Sequence, residues 1–259
     1  MPATQALNGS PNAQAQPQGS ACTTIVKADF HLHSSEDPKD SVDYSAMQLL
    51  HRAHELGFGA LAITLHDHVL NQRELFEEAE ALGIVLIPAA EMRLQGADVV
   101  ILNITEVEAA GLHSLDDLVP LRAKRGDSVL MFAPHVFYVF GGSIGRRRVE
   151  EHIDCFDAIE YCHYHTRLLN LNRGAVSLAR KHGKPLLATS DAHRLKYFGD
   201  HYSLIEVEGM VTMEKIFASI RAGKVETVSP AWPLPRFVGH FIHMFMGEPI
   251  DEILKRRRH

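Results

Sequence analysis

Hydrophobic and polar residues alternate along the chain in blocks that predict strands and helices in turn. Short apolar runs, typical of buried strands, are separated by longer segments whose apolar residues recur every three or four positions, as on one face of a helix. The strands are predicted over 25–30, 60–64, 85–89, 99–104, 129–133, 158–161 and 185–188, and the helices over 44–56, 74–82, 116–124 and 168–182. This alternation predicts an α/β protein with parallel strands and right-handed crossovers, and it favours a barrel over an open sheet.

The two ends of the chain depart from this pattern. Residues 1–21 contain almost no large apolar side chains, so burial cannot offset their ordering entropy, and we expect a disordered tail. Residues 22–229 form the predicted barrel domain. Residues 230–259 begin with three prolines and continue with aromatic residues and Met at helical spacing. This pattern predicts a helical extension that docks on its own barrel or on a second subunit, which would form a homo-oligomer.

Composition and charge narrow the class of protein. With 259 residues, of which 46% are hydrophobic and 22% charged, the chain is long enough for one large core. A formal charge of −6 argues against a dedicated nucleic-acid-binding protein. No apolar run reaches the roughly 18 residues needed to span a bilayer. Three cysteines, an odd number without a C-x-x-C pair, indicate reduced thiols and a cytoplasmic location.

Acidic residues and histidines follow five of the predicted strands. They are His31 and His33, the stretch 66–68, Glu91, His135 and the stretch 191–193. Because the C-terminal ends of barrel strands meet at one rim, we expect these side chains to lie together. Imidazole and carboxylate groups are both metal ligands, so five such strand ends favour a site for more than one metal ion.

The first of these strand ends has a spacing that suits a metal ion. In a strand, residues i and i+2 point to the same face, so Asp29, His31 and His33 project together. The two imidazoles suit a divalent ion, and the Asp29 carboxylate can orient a ring from behind. For this stretch taken alone, two surface histidines after a strand are the alternative.

Taken in order, these motifs resemble those of the PHP (polymerase and histidinol phosphatase) family. The matching stretches lie at 29–34, 62–67, 91, 134–135 and 190–193. The resemblance spans roughly residues 24–208, which is most of the chain. It implies a distorted seven-stranded barrel, a cleft that holds two or three metal ions, and phosphoester hydrolysis as the usual activity.

The resemblance also implies a set of metal ligands, carried over position by position. The set is His31, His33, Asp40, His66, Glu91, His135, Asp191 and His193. Glu91 takes the bridging role, which a carboxylate can fill because it has two oxygens. Asp40 stands for an acidic ligand expected shortly after His33, with Asp37 as the alternative. The predicted catalytic subset is His66, Glu91, Asp191 and His193.

The chain departs from the family pattern at three places. Leu65 stands where an aspartate is usual, and a valine follows His135 where proline is common. A histidine often found near the start of the fourth strand is missing, since the stretch 99–102 is apolar. We expect His163 or His68 to compensate for that missing ligand.

Residues that hold the substrate are harder to predict from the pattern. Arg194 directly follows His193, and Arg93 lies two residues after Glu91, so both are candidates for binding phosphate near the rim. Surface salt bridges are the alternative for each. The glycine-rich stretch 141–145, followed by three arginines, is interpreted as a solvated loop, with an anion-binding lid as the alternative.

These observations predict a metal-dependent phosphoester hydrolase acting on a small phosphorylated metabolite or nucleotide. A phosphoester is anionic and repels hydroxide, so cations are needed to bind its oxygens and to activate water as hydroxide. The mixture of nitrogen and oxygen ligands favours two or three ions of Mn, Zn or Fe. Two alternatives stay open: a non-catalytic member that keeps a structural metal and serves as a regulatory or interaction module, and an amidohydrolase-type hydrolase.

Overall fold

The structure, a computed structural model, describes residues 22–138 and 142–239. The strands are β1 (Thr23–Leu32), β2 (Ala60–Ile63), β3 (Val85–Leu94), β4 (Ala97–Leu102), β5 (Leu130–Ala133), β6 (Ala158–Tyr161), β7 (Leu186–Ala188), β8 (Tyr202–Glu208) and β9 (Val225–Val228). The helices are α1 (Ala46–Glu55), α2 (Arg73–Ala81), α3 (Glu106–Ala110), α4 (Leu118–Arg125), α5 (Gly145–Glu151), α6 (Asn172–His182) and α7 (Met213–Arg221). The tail predicted over residues 1–21 lies outside the described residues.

The strands form one curled sheet in the order β7-β6-β5-β4-β3-β2-β1-β8-β9. Strands β1, β2 and β3 are parallel neighbours, and so are β5, β6 and β7. The chain after β7 returns to the end of β1, where the Asp191 N–H donates to the His31 carbonyl at 2.9 Å and Leu32 pairs with Ala192. The predicted α/β class and distorted barrel are confirmed, and among the described residues the sheet has nine strands rather than seven.

The expectation that all strands are parallel is wrong at β4, β8 and β9, which are antiparallel to their neighbours. Only Gln95 and Gly96 separate β3 from β4, and both have left-handed backbones, with φ of 51° and 77°. Two consecutive residues with positive φ are typical of the tight turn of a hairpin. No crossover helix fits into two residues, so β4 runs back beside β3. Strands β8 and β9 lie beyond the last predicted strand.

Local sequence explains where the predicted helices begin and end. Helix α1 starts after Ser45, whose side chain accepts the Gln48 N–H while the Gln48 side chain returns a bond to the Ser45 backbone, forming a capping box. Helix α6 ends at Gly183, which adopts the left-handed conformation that glycine favours at this position. The helix predicted over 168–182 begins later than expected, at Asn172.

One apolar cluster draws residues from β1 to β8 and forms the floor below the strand ends. It contains Phe30 and Phe132, both fully buried, and it is joined by Ile216 and Phe217 of α7. The ring of His31 lies against this floor, with its centroid 6.4 Å from that of Phe132. Burial of these side chains supplies the main driving force for closing the sheet.

The described part of the C-terminal extension contacts the barrel of its own chain. Residues 234–239 are helical, and Phe237 stacks on Tyr164 with 4.2 Å between the ring centroids. The Trp232 indole N–H donates to His201 Nε2 at 2.6 Å. Residues 240–259, where the prediction places the rest of the helix, lie outside the described residues. None of the helices that the structure describes is long and apolar enough to cross a membrane.

Burial of His201 makes the stability of the protein depend on pH. Burial lowers the pKa of His201 to about 4, whereas the same ring in the unfolded chain is protonated near pH 6.5. The unfolded state therefore binds more protons between these values. We expect the free energy of unfolding to fall as the pH drops from 6.5 to 4, by up to about 3 kcal/mol from this residue. Urea unfolding of the wild type and of His201→Gln at pH 7, 6, 5 and 4.5 measures the effect.

The His201→Gln variant isolates this contribution from those of the other histidines. It is expected to show a flatter decline than the wild type over the same range, because its side chain does not titrate. Equal declines in the two proteins would contradict the assignment.

Candidate metal centre

The predicted strand ends meet around the carboxylate of Glu91 on β3, which is almost fully buried. Its Oε1 lies 3.1 Å from His135 Nε2. Its Oε2 lies 3.2 Å from the Nε2 of His31, 3.4 Å from that of His33 and 3.3 Å from that of His66. The two oxygens therefore face different imidazoles, three on one side and one on the other.

The last strand end adds two further side chains. Asp191 Oδ1 lies 3.5 Å from His31 Nε2 and 3.2 Å from His33 Nε2. The ring of His193 stacks on that of His33 with 4.3 Å between the centroids, and its Nε2 lies 2.9 Å from Asp40 Oδ2. The structure thus brings the whole predicted ligand set together. The pair His193–Asp40 forms its most exposed edge, since each of these side chains is 33% exposed.

Asp37, the alternative acidic candidate, also faces the centre. Its Oδ2 lies 3.2 Å from His33 Nδ1 and 2.9 Å from His66 Nδ1, and it accepts the backbone N–H of His66 at 2.9 Å. Hydrogen bonds from the two rings outweigh the effect of burial and hold the pKa of Asp37 well below its usual range. Asp37 and Asp40 therefore both reach the site. Asp37 contacts His33 and His66, whereas Asp40 contacts His193.

Among the described residues, three overlapping groups could each hold a metal ion. Within each group, the ligand atoms lie within 4.8 Å of one another. The groups are His31, Glu91 and His135; His31, His33 and Asp191; and His33, Asp37 and His66. His31 and His33 each belong to two groups. Ions bound at neighbouring groups would therefore lie close to each other.

The geometry fits divalent ions better than a hydrogen-bonded network. The Nε2 atoms of His31 and His33 are buried and make no hydrogen bond, although carboxylate oxygens lie 3.2 to 3.5 Å away. Buried polar atoms normally have partners. Two ligand atoms that share one tetrahedral ion at about 2.1 Å lie about 3.4 Å apart. The separations around these two nitrogens match that spacing.

The electrostatics of the cluster also call for cations. Burial disfavours a charged His135 ring, but the hydrogen bond and charge of Glu91 outweigh it and raise the pKa of His135 to about 9. The surrounding rings in turn hold the pKa of Glu91 well below its usual range despite burial. The Glu91 carboxylate is thus ionised at neutral pH and draws positive charge to the site. Metal binding would displace protons from the rings.

Glu160, which is not among the predicted ligands, positions His31. It lies on β6 and is almost fully buried. Its Oε1 lies 2.9 Å from His31 Nδ1 and accepts a hydrogen bond from the Thr189 hydroxyl. Its Oε2 accepts the His135 backbone N–H at 2.5 Å. A proton on Nδ1 held by a carboxylate leaves Nε2 available as a ligand. The available signal was a carboxylate inside an otherwise apolar strand.

The prediction that Asp29 orients a histidine ring is wrong. Both carboxylate oxygens of Asp29 accept the Ser190 N–H at 3.2 Å, and one also accepts the His31 backbone N–H at 3.3 Å. Asp29 therefore ties the end of β1 to the chain after β7 and touches no imidazole through these bonds. Burial raises its pKa to about 7.

Three residues that follow strands at this end of the barrel have left-handed backbones although none is glycine. They are Asp67, His135 and Asp191, with φ of 50°, 28° and 45°. Such conformations are costly for side chains with a Cβ and persist where the surrounding structure enforces them. His135 and Asp191 are themselves predicted ligands, so the strain is concentrated at the centre.

The remaining candidates lie outside the three ligand groups found among the described residues. The rings of His163 and His165 lie near His201, with centroids 5.7 and 6.4 Å away, in the cluster that contacts the C-terminal extension. His68 is half-buried after β2. Arg194 follows the last ligand directly and is partly buried. The guanidinium of Arg93 pairs with a buried aspartate on β4.

The fold and the centre define a barrel that gathers histidines and carboxylates at one rim. A family model described as PHP-associated matches residues 170–225. No curated protein matches the chain in sequence. The family match over residues 170–225 and the shared fold support the resemblance to the PHP family drawn from the motifs.

Several solved structures share this fold. One is a two-domain protein from Bacteroides vulgatus containing a predicted PHP-like metal-dependent phosphoesterase, with a TM-score of 0.62 and 17% identity over 84% of this chain and 70% of that chain. PsfC from Pseudomonas syringae has a TM-score of 0.60 and 21% identity over 84% and 96%. The lesion-specific endonuclease EndoQ from Pyrococcus furiosus has a TM-score of 0.57 and 17% identity over 79% and 58%.

Proposed function

We propose that this protein is a metal-dependent hydrolase of phosphoesters that acts on a small phosphorylated metabolite or nucleotide. The observation that carries the proposal is the division of the Glu91 carboxylate, whose Oε1 faces His135 while Oε2 faces His31, His33 and His66. A carboxylate whose two oxygens serve separate sets of imidazoles suits a pair of ions that share one ligand. A single structural ion needs only about four ligands, fewer than are gathered here.

The charge of the site explains why metal ions are needed for an anionic substrate. Asp37, Glu91, Glu160 and Asp191 are gathered in one largely buried region, so a phosphate group would meet negative charge once the rings have the neutral form that binds a metal ion. Divalent ions, when bound, would reverse that charge, lower the pKa of a water molecule and stabilise the leaving oxygen. We propose Mn, Zn or Fe, in two or three positions, because the ligand atoms mix nitrogen and oxygen.

Within this proposal, the protein's own side chains hold the metal ions, orient the ligands and contact the phosphate group. Glu91 bridges, and Glu160 keeps Nε2 of His31 directed at the centre. Arg194, next to the last ligand, is the proposed contact for a phosphate oxygen. Arg93 uses its Nε and Nη2 on an aspartate but leaves 43% of its side chain exposed, so a second phosphate contact remains open to it.

The cell compartment and the partner class belong to the same proposal. We place the protein in the cytoplasm with reduced cysteines, and burial raises the pKa of the Cys155 and Cys162 thiols, which supports a packing role for both. The net charge of −6 supports a small substrate over nucleic acid. Because one structural neighbour is an endonuclease, a DNA duplex with a lesion is included in the test.

The decisive measurement is metal content joined to a substrate screen. Protein purified without chelator, or stripped and reconstituted, is expected to hold at least two metal ions per chain by elemental analysis. With added Mn²⁺ it is expected to hydrolyse a phosphomonoester or a phosphodiester, and the chelator-treated protein is expected not to. A content of one ion or none after reconstitution would contradict the dinuclear centre.

The other readings of the fold give different results in the same screen. Two bound ions without turnover of any phosphoester would favour the non-catalytic module. Turnover of amide or lactone substrates alone would favour the amidohydrolase-type reaction. Cleavage confined to the DNA duplex would move the substrate class from small molecules to nucleic acid.

A further inference from the structure

The start of β4 brings an additional carboxylate to the rim of the barrel. Asp98 pairs with Arg93 across the β3–β4 hairpin, and Val100 pairs with Glu91 two residues further along. Residues two apart on a strand share a face, so Asp98 and Arg93 lie on the same face as Glu91. Because β4 runs antiparallel to β3, its first residues, rather than its last, reach the rim.

The Asp98 carboxylate lies next to the less crowded side of the centre. Its side chain is 3% exposed, and its Oδ2 lies 3.9 Å from His135 Nε2. The same nitrogen lies 3.1 Å from Glu91 Oε1. Carboxylate oxygens of Asp98 and Glu91 therefore both face the same imidazole nitrogen, on the opposite side of Glu91 from His33 and His66.

Two contacts fix Asp98 in this orientation. Arg93 donates from Nη2 to Asp98 Oδ2 at 3.0 Å and from Nε to Oδ1. Gly142 packs directly over the carboxylate, so that a side chain at this position would place its Cβ only 1.5 Å from Oδ2. The Gly142 carbonyl accepts the Asp98 N–H at 2.6 Å. With φ of 77°, Gly142 also has a backbone that other residues rarely adopt. The loop predicted as merely solvated thus holds Asp98 toward His135.

We infer that Asp98 is a metal ligand of this chain and completes the group formed by His31, Glu91 and His135. It fills the role left open by the missing histidine of the fourth strand, in place of His163 or His68. Arg93 acts as a positioning residue that holds the carboxylate and limits its negative charge. This inference rests on the proposed metal centre and concerns only which side chain completes it.

The identity of the ligand has a consequence for the metal. Added to the group of His31, Glu91 and His135, a histidine would give three nitrogens and one oxygen, whereas Asp98 gives two nitrogens and two oxygens. Carboxylates suit Mn²⁺, and imidazoles suit Zn²⁺. The position completed by Asp98 is therefore expected to select Mn²⁺ more strongly than a position built mainly from imidazoles.

Metal titration of stripped protein tests the inference without relying on activity. Asp98→Asn keeps the shape of the side chain but removes its charge and one ligand oxygen. We expect one of the Mn²⁺ ions bound by the wild type to bind at least about tenfold more weakly in this variant, the lower end of the effect seen when groups around a metal site are altered. Zn²⁺ affinity is expected to fall less. Calorimetry gives both affinities, and Mn²⁺ electron paramagnetic resonance reports whether two ions still interact.

Asp157→Asn is the matched control. Asp157 is also a largely buried aspartate held by arginines, Arg122 and Arg221, but it precedes β6 and lies at the opposite end of that strand from Glu160. It is expected to keep wild-type Mn²⁺ affinities, and melting of the metal-free proteins checks that both variants fold. Arg93→Gln, which leaves the carboxylate in place, is expected to weaken the same ion by a smaller factor.

The outcomes separate this inference from the proposed function. Two tight Mn²⁺ ions in Asp98→Asn with wild-type affinities would overturn the inference and leave the proposed function standing. An equal loss in Asp157→Asn would also overturn it, because the effect would then be on the fold. Fewer than two ions in the wild type would overturn both.

Discussion

Glu91→Ala is expected to abolish hydrolysis while the barrel remains folded. Glu91 is the side chain that both sides of the centre share, with Oε1 toward His135 and Oε2 toward His31 and His33. Its loss would disperse the pair of ions and with it several kcal/mol of charge stabilisation in the transition state. Since about 1.4 kcal/mol corresponds to a tenfold change in rate, we expect kcat to fall by at least about 10³-fold. Steady-state kinetics and elemental analysis of the same preparation measure both effects.

The fold is expected to survive because the neighbouring imidazoles can lose their protons once the carboxylate is gone. Glu108→Ala serves as the control, since Glu108 is a partly buried glutamate of α3 that pairs with Arg125 of α4. This variant is expected to keep its metal and its rate, although it also loses an ion pair. Near-normal turnover in Glu91→Ala would show that Glu91 is not a bridge.

The parts of the site that the sequence predicted are those that strand periodicity controls. His31 and His33 end β1 two residues apart, and the residues that follow the parallel strands β2, β5 and β7 reach the same rim. A local pattern is enough for this, because parallel barrel strands deliver their C-terminal ends to one place.

What the sequence could not predict depends on strand direction and long-range register. Asp98 begins a strand, and a residue at that position is at the rim only if the strand is antiparallel. The two-residue turn at Gln95 and Gly96 makes β4 antiparallel to β3, but the strands predicted over 85–89 and 99–104 do not reach this turn. In the sequence, Glu160 is only one polar residue in a buried strand. The pairing of β6 with its neighbours places it beside His31. A carboxylate in an apolar strand marks Glu160 as unusual, but the local sequence names the partner of neither residue.

The choice between Asp37 and Asp40 was open for a different reason. Both lie in an irregular loop after His33, where no period fixes which way a side chain points. The hydrogen bonds made by Asp37 to the backbone of Lys39 and His66 determine the path of this loop. They direct Asp37 at His66, while Asp40 faces the ring of His193 after β7, so both acids reach the site.

The last expected result concerns how the leaving group departs, and it rests on His66. One reading makes His66 a metal ligand, and the other makes it an acid that protonates the departing oxygen. The structure favours the ligand reading, because both ring nitrogens face carboxylates: Nδ1 lies 2.9 Å from Asp37 Oδ2 and Nε2 lies 3.3 Å from Glu91 Oε2. A general acid needs one nitrogen directed at the substrate and typically contributes about 10²–10⁴-fold.

The two readings separate by their dependence on the leaving group. An alkyl phosphate needs a proton or a cation at its departing oxygen, whereas p-nitrophenyl phosphate needs little help. For His66→Ala we expect both substrates to slow by similar factors of at least about 10²-fold, with partial recovery at high Mn²⁺, because a lost ligand weakens the metal for every substrate. His51→Ala, on the exposed side of α1, controls for removal of a histidine and is expected to have no effect. If His66→Ala slowed only the alkyl phosphate and did not respond to added Mn²⁺, His66 would be the general acid, and the position beside Asp37 would have no metal to hold.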